Sequence, residues 1–437
     1  MIWGIVVFIG LALILTGGAF LAEAPITKYL EGPEFRAELD KQTSKGLHFK
    51  GKYEPLTRTG FLSAKSDGFK SSDGVKAFES IDVQGITGSF NPLGVFLRRW
   101  QLDSIHIDSG VARIQVYEPK PQEKPPKPWY SIFLPDRVYL KEVRCDKADI
   151  IWKMGGKDAG FYGSKVLITP HDRDFEYRLT EGVFKIPRLP DLSLEKAHTL
   201  ITKEKLSLYE LLLTAKGGGT IKLQGEAGLK SDKSMRAQLD ISKVPIAPWI
   251  PASWGDQVKG RASGQIRMEG SDQNLKSSQG EGQINLSGAR ILSIPFLDYA
   301  ASAVQNESLK NIELDECVID FTWKGSTAKI QEIRIEAAGQ FKLEGTLQLS
   351  KSKLAGKLTF GVSEKNLEWL PKAKEEIFTT KKGGYWWTDV NISGTLQEPQ
   401  NDLTPRLAET LKRSPAESAG LFFRQIGEWF QQTLGKD

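Results

Sequence analysis

The residues that could do chemistry are few and dispersed. Of the four histidines, His48, His106, His171 and His198, none falls in an HExxH pattern, and none stands beside a cysteine at metal-binding spacing. The densest polar group, HDRD at His171–Asp174, offers ligand types, but it lies between Pro170 and the strand-like Phe175, Tyr177 and Leu179 and reads as a polar turn. Gly217–Gly219 lacks the following helix and the Lys-Ser/Thr pair of a phosphate loop, so a hairpin turn is the better assignment. No GxSxG nucleophile elbow is present. Cys145 and Cys317 stand too far apart in sequence for a zinc knuckle and are expected to be unpaired and separately buried. Sequons begin at Asn285, Asn306 and Asn391, and would matter only in a eukaryotic source. The expectation is a protein that is not an enzyme and uses neither metal nor cofactor.

What must position these residues is a long run of strands. In GQFKLEGTLQLSKSKLAGKLTFGV, Gly339–Val362, the side chains Phe341, Leu343, Leu347 and Leu349 share one parity, with Lys342, Glu344, Thr346 and Gln348 on the other. After a turn at Lys351–Lys353 the parity switches, and Leu354, Leu358, Phe360 and Val362 carry the apolar side. Period-two alternation predicts two antiparallel strands, each apolar on one face. The same pattern recurs around Leu223, Leu239, Ile266 and Ile284, around Ile319 and Phe321, and around Val390 and Ile392, separated by Gly, Ser, Asp or Lys turns. Pro25–Asp40 reads as a short linker or helix, with strand alternation beginning at Leu47, and further helices are expected near Asn91–Trp100, Ile294–Lys310 and Leu367–Phe378, and at the C-terminus. There, Thr404-Pro405 and Ser414-Pro415 each place a capping residue before a proline, and Phe422, Ile426, Trp429, Phe430 and Leu434 form one stripe. That stripe most simply docks on the end of the sheet; the alternative is a membrane surface or another protein.

Composition narrows the partners. A net charge of +5 from 59 basic and 54 acidic groups is small, and the lysines are spread through strands, which disfavours nucleic acid. The uncharged run Ile2–Ala22 holds 21 residues, enough at about 1.5 Å each to cross a hydrocarbon core of about 30 Å. An uncleaved transmembrane anchor is favoured over a signal peptide cut at Ala22-Glu23-Ala24, because no Lys or Arg precedes the run and Pro25 would follow the cut. Lys28, Arg36 and Lys41 come after it, so charge bias alone does not set its orientation. The expected organisation is an anchor over 1–24, a β segment over 25–118, a proline-rich loop or hinge over 119–135, a repeating β array over 136–402 and terminal helices over 403–437.

Three stretches resemble AsmA-like proteins. Tyr385–Leu403, with Gly394, Thr395, Leu396, Pro399 and Asp402, is similar to that family's closing signature; Lys329–Val362 resembles the hairpins before it, and Glu79–Ile114 its N-terminal repeat. The resemblance implies a bacterial inner-membrane protein with a single span and a periplasmic body, related to TamB and the chorein-type lipid-transfer proteins. It also implies a mainly β fold: an elongated, curved antiparallel sheet whose apolar groove carries lipid acyl chains, in outer-membrane biogenesis or homeostasis.

The alternation agrees with that implication, since a sheet apolar on one face must close, stack on another sheet or hold something oily. The groove candidates are Leu223, Leu239, Ile266 and Ile284, then Phe341, Leu343, Leu347, Leu349, Leu358 and Phe360, and last Val390 and Ile392. The expected partners are a phospholipid or other acyl lipid, the inner membrane, and other envelope proteins through the C-terminal helix. The alternative is a scaffolding envelope protein with a dry β-sandwich core.

Overall fold

The computed structural model describes residues 27–412 apart from 30, 48–49, 61–62, 73, 75–77, 92–99, 116–137, 172–173, 203, 230–233, 251–254, 256, 272–276, 293–309, 369–370 and 396–398. The expected anchor, the helices near Asn91–Trp100 and Ile294–Lys310, and the stripe from Phe422 to Leu434 lie outside the described residues. Among the described residues no helix is long and apolar enough to cross a membrane. The protein is mainly β with a few short helices, and it divides into two compact units, residues 1–202 and 203–437.

The first unit begins with α1 (Pro33–Leu47), a helix where Pro25–Asp40 reads as a linker or helix, and it continues beyond Asp40 to take in Leu47, where strand alternation is expected to begin. Eleven strands come next. They are β1 (Lys50–Tyr53), β2 (Leu56–Gly60), β3 (Ser63–Ser72), β4 (Phe78–Phe90), β5 (Trp100–Ile114), β6 (Val138–Leu140), β7 (Val143–Met154), β8 (Lys157–His171), β9 (Asp174–Thr180), β10 (Val183–Lys185) and β11 (Leu192–Ile201). β1 and β2 both pair with β3 as one interrupted edge, then β4 and β5 join by antiparallel pairing. β6 and β7 lie along β5 in parallel. From β7 the order continues through β8 to β9 and β10 and then β11, again antiparallel. The proline-rich residues 119–135 therefore fall in the one long crossover that a parallel pair requires.

The outer edge of this sheet is covered by side chains. Asp40 of α1 accepts from the Tyr53 N–H (2.7 Å), Ser44 from the Gly51 N–H (3.3 Å), and Glu31 from the Arg58 N–H (2.9 Å). Edge N–H groups that would otherwise invite another strand are thereby occupied. Tyr53 then packs on the buried Phe69, ring centroids 4.6 Å apart.

The second unit is an antiparallel succession: β12 (Lys205–Ala215), β13 (Thr220–Gly228), β14 (Met235–Pro245), β15 (Val258–Gly270), β16 (Gln279–Leu292), β17 (Asn311–Leu314), β18 (Glu316–Lys324), β19 (Thr327–Ala337), β20 (Phe341–Ser350) and β21 (Lys353–Ser363). Then come α2 (Glu364–Leu367), α3 (Pro371–Glu376), β22 (Thr380–Lys382), β23 (Tyr385–Gly394), β24 (Pro399–Asn401) and α4 (Leu403–Lys412). β17 and β18 both pair with β16; β23 lies between β21 on one side and β22 and β24 on the other. The expected helix Leu367–Phe378 is two short helices, with Pro371, which cannot sit in a helix interior, opening the second. The cap of α4 is Asn401 rather than Thr404: its Oδ1 accepts from the Thr404 N–H (2.8 Å) and hydroxyl (3.0 Å).

Register shifts interrupt the ladders at Ile241/Val244, Lys259/Arg261, Asp320/Phe321 and Ile330/Ile333. Bulges of this kind bend a strand and increase its local twist.

Candidate functional site: the apolar face of the second unit

Cross-strand partners share a face, so the register shows how far one face runs. One row passes through Leu211, Leu223, Leu239, Ile266, Gly282, Phe321, Ile330, Leu347, Gly356 and Ile392. The next passes through Leu213, Ile221, Ile241, Gly264, Ile284, Ile319, Ile333, Gly345, Leu358 and Val390. Neither row contains a polar side chain from β12 to β23. The opposite face is polar over the same strands, with Lys222 beside Asp240, then Gln265, Gln283, Asp320 and Glu332. There the Gln265 amide donates to Asp240 (2.7 Å), and Lys357 pairs with Asp389 (2.7 Å).

Glycines in the apolar rows lower the floor. A Cβ on Gly282 would meet only side chains, the nearest being the Phe321 ring at 2.6 Å; one on Gly280 would come within 2.3 Å of the Trp323 ring. Each aromatic therefore lies flat across the glycine of the facing strand instead of standing upright. The Trp323 indole N–H is held by Ser278 Oγ at 3.1 Å.

Two stretches of this face differ in what meets them. Over β19–β23 the short helices close it. Leu367, Ala373, Ile377 and Phe378 form a buried cluster on which Phe360, Val362, Trp386, Leu403 and Leu407 pack. Beside it, Ile333, Leu358 and Val390 form a second, flanked by Leu343, Leu347, Ile392 and again Leu403. Glu364 ties the helices down through Lys374 (2.6 Å) and Lys381 (2.9 Å), whose ammonium groups lie over the Trp386 ring at 4.8 and 5.3 Å. Hydrogen bonds from Lys374 and then Lys381 pull the Glu364 carboxyl down to about 2. Over β13–β18, by contrast, the principal contacts among the described residues run to neighbouring strands and to the 3₁₀ turn Ala247–Trp249. Leu223, Leu239, Ile266, Ile284, Ile319, Phe321 and Trp323 are half-buried there.

The sequence-derived candidates thus divide. Leu223, Leu239, Ile266 and Ile284 line the half-buried stretch. Leu358 and Val390, 9% and 5% exposed, lie in protein core, with Leu343, Leu347, Phe360 and Ile392 packed on it. Phe341 pairs its ring with Phe360 at 5.9 Å, and Leu349 faces Ala328 and Leu354. Ile319, Phe321 and Trp323 belong to the half-buried stretch too; their shared parity was the signal that could have placed them there.

The scattered polar residues are engaged elsewhere. Glu176 on β9 accepts from or pairs with His171 (3.0 Å), Arg178 (2.9 Å) and His198 (2.7 Å), and hydrogen bonds from His171 and then Arg178 hold its carboxyl down at about 2. His106 sits 3.3 Å from Asp146 and 3.6 Å from Asp108. His171 and Asp174 pair where β8 turns into β9, and Gly217–Gly219, all at positive φ, form the turn from β12 to β13. Cys145 and Cys317 are free, the first half-buried and the second buried, where burial pushes its thiol up to about 11. Among the described residues no group of three or more His, Cys, Asp or Glu side chains could hold a metal. Compared with known proteins, the chain matches no family model, no curated protein and no solved structure.

Proposed function

We propose that the second unit binds an acyl lipid along the apolar face of β13–β18, as part of a membrane-anchored envelope protein that carries lipid between bilayers. The observation that supports this reading is the unbroken pair of apolar rows through Leu239, Ile266, Ile284 and Ile319, which no described helix covers as α2–α4 cover β19–β23. The five strands β13, β14, β15, β16 and β18 span roughly 19 Å at about 4.8 Å per interval. One leaflet's chains fill about 15 Å, half of a ~30 Å hydrocarbon core. At about 0.8 kcal/mol per CH₂, a sixteen-carbon chain crossing water bare would cost on the order of 12 kcal/mol, which a trough of this length largely removes. The resemblance of Tyr385–Leu403 and Lys329–Val362 to AsmA-like proteins points the same way. The anchor Ile2–Ala22, the periplasmic body and the role in outer-membrane homeostasis belong to this proposal and rest on sequence.

Photo-crosslinking tests it. A crosslinking residue at Leu239 or Ile284 should capture lipid in cells, while one at Gln238 or Gln283, on the opposite face, should not. Capture of protein alone at Leu239 and Ile284 would establish the scaffold with a dry core instead.

A further inference from the structure

The apolar face of β13–β18 has two unlike ends. A third row lies on the same face as the two already described, through Gly225, Ala237, Met268, Gly280, Trp323 and Ala328. It runs beside the connections that leave β13, β15 and β18. Met268 and Trp323 are half-buried there, as is Met235 beside them. The Trp323 indole N–H is held by Ser278, so its ring sits at a rim, where an aromatic with one polar atom bridges hydrocarbon and wet groups. Back along β15 from Met268, about 20 Å away at ~3.3 Å per residue, stands Ala262. Ala262 is in register with Val244 and Leu286. Here the same face is closed in: Val244 is 3% exposed, and Ala289 and Ile312 beyond it are 1% exposed.

The connections at the two ends also differ in charge. At the open end, the segments joining β13 to β14, β15 to β16 and β18 to β19, with the residues that bound them, hold Lys230, Lys233, Lys276 and Lys324 against Asp232 and Asp272. Lys351 and Lys353 continue the series at the turn from β20 to β21. At the closed end, the segments joining β12 to β13, β14 to β15, β16 to β17 and β17 to β18, counted the same way, hold Lys216 and Lys310 against Asp256, Asp298, Glu307, Asp315 and Glu316. Acids on the strands near the open end are matched already: Glu269 stands opposite Arg236, Glu281 pairs with Arg267 at 3.8 Å, and Glu226 pairs with Lys205. The open end is therefore the positive one.

We propose that this face takes an anionic lipid in one orientation, with its phosphate headgroup among the lysines beside Trp323 and its chains running toward Val244 and Leu286. The proposal rests on the lipid reading of the face, and adds which headgroup it selects and which way the lipid lies. A chain terminus belongs where water is excluded, and a phosphate where water and cations are at hand.

The test offers the full chain, in mild detergent, either dioleoyl phosphatidylglycerol or dioleoyl phosphatidylcholine, which share their chains and differ in headgroup charge. Retained lipid is counted by mass spectrometry after gel filtration. Phosphatidylglycerol should be retained about tenfold better at low salt, and the preference should vanish near about 0.5 M NaCl, where the Debye length is about 4 Å. Lys233→Gln with Lys276→Gln and Lys324→Gln should bring phosphatidylglycerol down to the phosphatidylcholine level, whereas Lys233→Arg, Lys276→Arg and Lys324→Arg together should keep the preference. Lys216→Gln with Lys310→Gln, at the closed end, should leave it unaltered. A phosphatidylglycerol bearing a diazirine at its chain terminus should label peptides containing Val244 or Leu286 rather than Met235 or Trp323. Equal retention of the two lipids, or chain-terminus labelling beside Trp323, would overturn the proposal and leave the lipid reading standing; retention of neither lipid would overturn both. Displacement of phosphatidylglycerol by inorganic phosphate at constant ionic strength would mean that the lysines hold a free anion, and would overturn the proposal too.

Discussion

The half-buried stretch of the second unit and its covered end are built from the same alternating strands, and they differ in the segments that connect those strands. Between β13 and β18 the described residues hold the 3₁₀ turn Ala247–Trp249, whereas β21 and β23 are separated and succeeded by α2, α3 and α4, whose Leu367, Phe378 and Leu403 settle onto the apolar rows. An apolar parity therefore states that a face avoids water, and the intervening helices decide whether protein or a ligand does the covering. Leu239 and Leu358 carry the same sequence signal and have different neighbours.

The largest effect should break the comparison if the two stretches are in truth alike. Leu358→Asp buries a carboxylate among Ile333, Val390 and Leu403 and should destabilise the second unit by about 4 kcal/mol in urea unfolding. Leu239→Asp, half-buried and away from the helices, should lose about 1 kcal/mol while abolishing lipid capture. Equal losses at the two positions would mean that β13–β18 is as dry as β19–β23.

A smaller effect concerns the latch on the covered end. The Glu364 carboxyl is held at about 2 when folded, below the usual carboxylate value near 4.3 of an unfolded chain. Its contribution is thus fully present above about pH 4.3 and lost as pH falls toward 2. Lowering the pH from 5 to 2 should deprotect the α2 and α3 amides in hydrogen exchange more in wild type than in Glu364→Gln, with the β14–β15 amides insensitive to that substitution. Identical profiles in the two proteins would remove the latch.

The smallest prediction sharpens the shared strand architecture. The turn between β20 and β21 places both Lys351 and Ser352 at positive φ, 48° and 68°, a two-residue geometry that glycine suits better than serine. Ser352→Gly should raise stability by about 0.5 kcal/mol. A loss of stability there would mean that the serine side chain contributes more than the backbone geometry costs.

Much of this was legible in the residues. The hairpin Phe341–Ser350 and Lys353–Ser363 obeys its alternation, because with a period of two a single-residue slip would turn every leucine to the wrong face. The parity rows from Leu223 to Val390 were equally readable one strand at a time. What the sequence withheld was long-range. Nothing local to Leu358 announces Leu403, and nothing near Glu176 announces His198, 22 residues away. The α4 cap was misplaced by three residues because Thr-Pro imitates a helix start, while Asn401 and Asp402 read as ordinary turn residues.

The parallel seam between β5 and β7 has a consequence for how the first unit assembles. β7 and β8, and β8 and β9, follow each other within two residues, so their contacts form early and cost little chain entropy to close. The seam is different: residues 115–137 must bring Trp100 beside Val138 and Ile114 beside Trp152 before a single bond across it is gained. Two antiparallel sets, β1–β5 and β7–β11, can each form on their own terms, and their joining along Ile105 and Val143 should be the slow, committing step. Shortening the crossover to the point of tension should therefore slow refolding of this unit more than it changes the rate at which the assembled sheet comes apart.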